Sequence, residues 1–124
     1  MSEADILGLV MFAVMAGAGL MLIWMARAAA SGKLKRNSIA GIRTSKTMAS
    51  EEAWRAAHVR TKTLTMVAGA VSLIGGVIAL LPIGIGPMMF AVMVATGITF
   101  GLVTYAAIIG GRAADEVATP ANEG

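Results

Sequence analysis

The chain offers few groups for nucleophilic or acid–base chemistry outside its apolar segments. It has a single histidine, His58, and no cysteine. Disulfides, thiolate zinc sites and thiol nucleophiles are therefore excluded. With His58 as base, the hydroxyls considered as nucleophile are Ser50 and Thr44. A general base must stand about 2.6–3.2 Å from the nucleophile it activates. Ser50 and His58 are eight residues apart. On one helix that separation is roughly 12 Å, so they cannot pair if Ser50 caps the helix carrying His58. Thr44 stays open as a partner, with a lipid head group as substrate. Met11, Met15, Met21, Met25, Met66, Met88, Met89 and Met93 suggest a path for a soft metal, since thioethers bind copper(I). Without cysteine, and with one histidine, the better reading is adaptable packing. The expectation is a chain that is not an enzyme, with no catalytic residue, no cofactor and no metal.

The same region reads more naturally as a binding or loop-structuring site. Ser50 is a good N-cap, and Glu51 and Glu52 follow it in the first turn, where the helix dipole favours anions. Trp54 and His58 are at i,i+4 and share a helix face, as do Glu51 and Arg55 with favourable polarity. Arg43 lies seven residues before Ser50 in a stretch rich in hydroxyls. If that stretch folds back over the helix start, Arg43 reaches Glu51 or Glu52, and a guanidinium can pair with a carboxylate in a bidentate way. A simpler reading stays open. Trp54 is then an interfacial anchor, Arg43 a contact to lipid phosphate, and His58 a packed or solvated loop residue.

These residues must be positioned by apolar elements. The chain has 124 residues, of which 57% are hydrophobic and 14% charged. Soluble domains average about 45–50% and about 25%, and a small soluble fold buries only part of its apolar surface. The composition disfavours a soluble enzyme, a nucleic-acid-binding domain and a disordered tail. Residues 6–26 and 63–111 carry no formal charge. The first stretch, at about 1.5 Å per residue, reaches roughly 31 Å and suffices for a bilayer core of about 30 Å. The second is broken by Pro82, Gly84, Gly86 and Pro87, which mark a turn. The expectation is an all-α integral membrane protein with transmembrane helices over 6–26, 64–81 and 88–109. Residues 1–5, 27–63, 82–87 and 110–124 are the N-terminus, a basic loop, a turn and a tail, with residues 119–124 frayed. The N-terminus is acidic, unlike a signal peptide, so the first helix is read as retained.

Nine of the ten basic residues lie in 27–63, against Glu51 and Glu52. Basic residues accumulate in short cytoplasmic loops. The loop and the C-terminal tail are therefore expected inside, and the N-terminus and the 82–87 turn outside. Residues 27–36 are expected to fray from the first helix. The second helix is expected to run unbroken from about Ser50 to Leu81, extending into the cytoplasm. A basic block beside a membrane is explained first by anionic lipid, so direct nucleic-acid binding is not expected. No span holds Asp, Glu, Lys, Arg or His, which argues against a stand-alone ion-coupled transporter. Small residues recur at fourfold spacing: Ala13 and Gly17; Ala68, Ser72 and Gly76; Gly97 and Gly101, with Thr104 nearby. Such stripes let helices approach closely in lipid. They are expected to form the internal contacts of a three-helix bundle, a homodimer face being the alternative.

The pattern Asn37-x-x-x-Gly41-Ile42-Arg43-Thr44-x-x-Thr47-x-x-Ser50-Glu51-Glu52-x-Trp54-x-x-x-His58 resembles the signature of the SdpI family of bacterial membrane proteins. Many members have Pro-Trp where this chain has Ser45-Lys46, and Arg where it has Val59; larger members carry further membrane helices. The resemblance implies a multi-pass protein of the bacterial plasma membrane with an immunity or signalling role. Such a protein binds a toxic peptide, or a cytoplasmic regulatory protein through the loop. The implied site comprises Asn37, Gly41, Arg43, Thr44, Thr47, Ser50, Glu51, Trp54 and His58. An accessory or structural subunit of a larger membrane complex is the other reading considered.

Overall fold

The computed structural model describes residues 1–118 and is all-helical over them. α1 spans Glu3–Ser31, α2 Glu51–Ala79 and α3 Ile85–Ala118, with a single 3-10 turn at Thr47–Ala49. All three helices are long and apolar enough to cross a membrane. The tail expected to fray, residues 119–124, lies outside the described residues.

Each helix starts and stops for a local reason. Ser2 caps α1 reciprocally: the Asp5 N–H donates to Ser2 Oγ, and the Ser2 N–H donates to the Asp5 carboxylate. α1 does not fray at residue 27, as the sequence suggested, but continues to Ser31. Ala28, Ala29 and Ala30 are the best helix formers available, and Ala26, Ala28 and Ala29 are buried. Gly32 then ends the helix at φ 87°, a conformation that costs glycine little. Ser50 caps α2 by accepting the Ala53 N–H at 3.0 Å. α2 runs unbroken from the basic end into the apolar segment, as its sequence predicts. The turn ends at Gly84, earlier than the 82–87 assignment, because Pro87 sits inside the first turn of α3. Proline is tolerated there, where its missing N–H would have no helical partner. α3 likewise extends beyond 109, so residues 110–118 are helix rather than tail.

The chain runs up, down and up, with α2 in the middle. α2 packs along both neighbours, whereas α1 and α3 barely touch. The α1–α2 seam is made by small residues. A Cβ on Gly69 would stand 2.6 Å from the Gly19 carbonyl oxygen, and one on Gly8 2.5 Å from that of Ala79. Ser72 Oγ donates to the Met15 carbonyl at 2.7 Å across this seam. Toward α3, Gly75 faces Ala95, and Thr99 bonds the Ala68 carbonyl at 3.4 Å.

The stripe Ala68, Ser72 and Gly76 is therefore internal, as expected. The other stripes are not. Ala13, Gly17, Gly97, Gly101 and Thr104 are all exposed, and a Cβ on Gly17, Gly97 or Gly101 would meet nothing within 4 Å. Within the bundle α1 and α3 each pack chiefly on α2, so each buries mainly one face. On α1 that face is Gly8, Met15, Ala16 and Gly19. The methionines divide similarly: Met15 and Met88 are buried, while Met21 and Met93 face outward.

Candidate functional site

The segment between α1 and α2 folds back onto the first two turns of α2. Gly41 makes this possible. It adopts φ 104°, and a Cβ there would stand 2.5 Å from the Trp54 ring and 2.9 Å from His58 Nε2. Both backbone conformation and space therefore require glycine. Trp54 lies beneath it, 1% exposed, and its indole N–H donates to the Leu34 carbonyl at 3.0 Å. The Trp54 and His58 rings are 4.2 Å apart between centroids. Trp54 is thus a buried clamp for the loop rather than an anchor at the membrane surface.

His58 is the polar half of the clamp. Its Nε2 accepts the Ile42 N–H at 2.9 Å, and its Nδ1 lies 2.7 Å from the Trp54 carbonyl. Since one partner is a donor and the other an acceptor, only the neutral ring protonated at Nδ1 satisfies both. Burial pushes the His58 pKa below its ordinary value, outweighing the hydrogen bond to Trp54, which raises it. Both ring nitrogens are engaged by backbone, and neither meets Thr44 or Ser50 in a hydrogen bond.

The threonines stitch the rest of the loop. Thr44 N–H donates to Thr47 Oγ1 at 2.9 Å, and Thr47 N–H donates to Thr44 Oγ1 at 3.2 Å. The fully buried Thr47 hydroxyl donates to the Ile42 carbonyl at 2.7 Å. Asn37 Oδ1 accepts the Ile39 and Ala40 N–H groups, closing a local turn before Gly41. The site residues expected from sequence are brought together, except for the expected contact between Arg43 and Glu51.

That ion pair is made by a different arginine. Glu51 meets Arg36, whose backbone N–H donates to Oε2 at 3.2 Å and whose Nε lies 3.7 Å from Oε1. Arg36 also donates to the Met48 carbonyl at 2.9 Å. Gly32 turns the chain back at the end of α1, so Arg36 arrives beside the start of α2, and Arg43 is carried past it. Arg43 is exposed and forms no ion pair among the described residues. Glu51 likewise spends its carboxylate on Arg36 rather than on Arg55. Two further contacts had no local signal in the sequence. Lys46 Nζ bonds the Asp115 carboxylate at 2.8 Å, tying the loop to α3. The Ile42 side chain packs where a Cβ on Gly110 would stand, 3.5 Å away.

The separation of α1 from α3 leaves a cleft with α2 as its floor. Its apolar part, about 470 Å³, is lined by Met15, Leu22, Ser72, Thr99, Phe100 and Val103 among others. A second cavity of about 200 Å³ lies toward the loop, lined by Arg43, Thr44 and His58. Leu22, Met25 and Val103 line both, so the two adjoin across these side chains. Among the described residues no group of His, Asp and Glu is placed to hold a metal ion.

Comparison with curated proteins and with solved structures returned no match. Comparison with protein families matched the SdpI/YfhL protein family over residues 33–111, which takes in the loop, all of α2 and most of α3. Covering well over half the chain and coinciding with the loop–helix clamp, this match shows that the chain, a multi-pass membrane protein, belongs to the SdpI/YfhL protein family.

Proposed function

We propose that this protein is a non-enzymatic recognition protein of the bacterial plasma membrane, of the immunity or signalling type. Its basic end lies in the cytoplasm, by the bias of Lys and Arg toward that side. An apolar or amphipathic peptide entering from the bilayer occupies the cleft between α1 and α3. The clamped loop, with Arg43 exposed beside the cleft's end, meets a cytoplasmic partner. The observation that carries this reading is that Leu22, Met25 and Val103 wall both the cleft and the cavity under the loop. A ligand in the bilayer then touches the walls that support the loop. His58, with both nitrogens committed to the backbone, holds the loop in place and is not poised as a base.

The test is protection. Cells expressing the chain are challenged with secreted amphipathic peptides from neighbouring species. Tolerance is expected to rise, and Val103→Trp, which fills the shared wall, is expected to abolish it with the protein still in the membrane. Arg43→Ala is expected to weaken partner capture without affecting insertion. Unchanged tolerance, with either protein, contradicts the reading. A cysteine introduced at Ser38 should stay unlabelled by impermeant reagents on intact cells.

A second reading, a subunit of a larger membrane complex, is favoured by the outward G-x-x-x-G face of α3. A stoichiometric partner retained in mild detergent, and lost in Gly97→Leu, would support it.

A further inference from the structure

On the opposite side of α1, three cations converge on another cavity, of about 490 Å³. Arg27 comes from the last turns of α1, Lys33 from just beyond its cap, and Lys62 from α2. Gly32 sets this arrangement. Its positive φ turns the chain back, and the Leu34 N–H bonds the Ala28 carbonyl at 2.9 Å, which fixes Lys33 over the helix end. Below the cations the lining becomes apolar. Leu20, Ile23 and Trp24 share the Arg27 face of α1 by their three- and four-residue spacing. Leu20 is 57% exposed and Trp24 55%.

The three cations form no ion pair among the described residues; the two pairs present use Arg36 and Lys46. Cations near a helix C-terminus are favoured by its dipole, and that accounts in part for Arg27 and Lys33. It does not account for Lys62, which lies three turns inside α2. What unites the three is the shared cavity and the apolar wall beneath it. An indole at the polar boundary, aliphatic side chains on one side of it and cations on the other are the layering of a lipid monolayer.

We propose that this cavity binds an anionic phospholipid. Its phosphate sits between Arg27, Lys33 and Lys62, and its glycerol and upper acyl chain lie along Leu20, Ile23 and Trp24. Three cations match a headgroup with two phosphates better than one with a single phosphate, so diphosphatidylglycerol binds ahead of phosphatidylglycerol. A free phosphate ion uses the cations but leaves the apolar wall without a partner, and lipid is therefore the occupant. The site is independent of the cleft between α1 and α3.

Trp24 supplies the readout. Of the two tryptophans, Trp54 is buried under the loop and Trp24 is open to lipid. The full chain is reconstituted in phosphatidylcholine vesicles containing increasing fractions of lipid brominated on the acyl chain. Brominated diphosphatidylglycerol should quench Trp24 at a far lower mole fraction than brominated phosphatidylcholine. One juxtamembrane cation is worth roughly fivefold, so three give a preference on the order of a hundredfold. Phosphatidylglycerol should fall between. In Arg27→Gln/Lys33→Gln/Lys62→Gln the anionic curve should collapse onto that of phosphatidylcholine, with Trp54 emission in a Trp24→Phe background reporting an intact fold. Equal quenching by anionic and zwitterionic lipid overturns the proposal. So does a preference that survives in the triple variant, or one abolished by millimolar inorganic phosphate, which would make this an ion site.

Discussion

The two halves of α2 hold their neighbours by opposite means. In the apolar half, Gly69 and Gly76 let the α1 backbone approach, and one side-chain hydrogen bond, from Ser72 to Met15, crosses the seam. In the basic half, Trp54, Thr47 and His58 are buried, and nearly every loop turn is fixed by a hydrogen bond. The difference follows from the solvent. Lipid tails are as apolar as the helices, so burial gains little there and close backbone packing decides association. At the water-facing end, burying an indole is strongly favourable, and buried polar groups must be satisfied.

Substitutions in the two halves should therefore fail differently. The largest effect is expected from Trp54→Ala. Removing a buried indole costs about 3–5 kcal/mol, and here the loss should fall on the loop. Proteolysis should cut within residues 33–46 while the three helices remain in the membrane. Next is Gly69→Leu, whose side chain has no room beside Gly19. Overpacking of this kind costs about 1–3 kcal/mol or more. Thermal unfolding in detergent should drop for the whole bundle rather than for the loop. The paired control is Gly97→Leu, which points into open space and should change stability by less than about 0.5 kcal/mol.

Acid sharpens the same contrast. The folded-state pKa of His58 is lowered from 6.5, so protons bind the released loop better than the clamped one. Clamping is complete above pH 6.5 and weakens as pH falls toward the lowered value, because a protonated Nε2 no longer accepts the Ile42 N–H. The apolar seam holds no ionisable group and should not respond. Loop proteolysis between pH 7.5 and 5 should accelerate in the native chain, and His58→Gln should flatten that dependence. A small effect is also expected from Lys46→Ala. Its pair with Asp115 is half exposed, and such pairs contribute about 0.2–1 kcal/mol.

The comparison also explains what the sequence could reveal. The three helices were legible because charge is excluded from long stretches, and the start of α2 because Ser50, Glu51 and Glu52 form a local cap. That Trp54 and His58 share a helix face followed from their spacing, whereas the seating of Gly41 on both rings had no signal in the spacing. The pairing of Glu51 was not legible. Arg36 and Arg43 are equally plausible by charge, and the choice is made by Gly32, which sets where the returning chain begins. The outward faces of Gly17, Gly97 and Gly101 were missed for a related reason. A fourfold stripe marks a helix face without saying whether a neighbour covers it, and α1 and α3 are kept apart by α2. The end of α3 was missed because its charged residues look like tail, yet Ala113 and Ala114 are buried and Asp115 holds the loop.

The clamp itself is most directly tested at one amide. In lipid discs at pH 7.5, hydrogen exchange of the Ile42 N–H should be strongly slowed relative to Ser38 and Ile39, and His58→Ala should release it while leaving the amides of residues 68–76 protected. Rapid exchange of Ile42 in the native chain, or protection that survives His58→Ala, would contradict a loop held to α2 through His58.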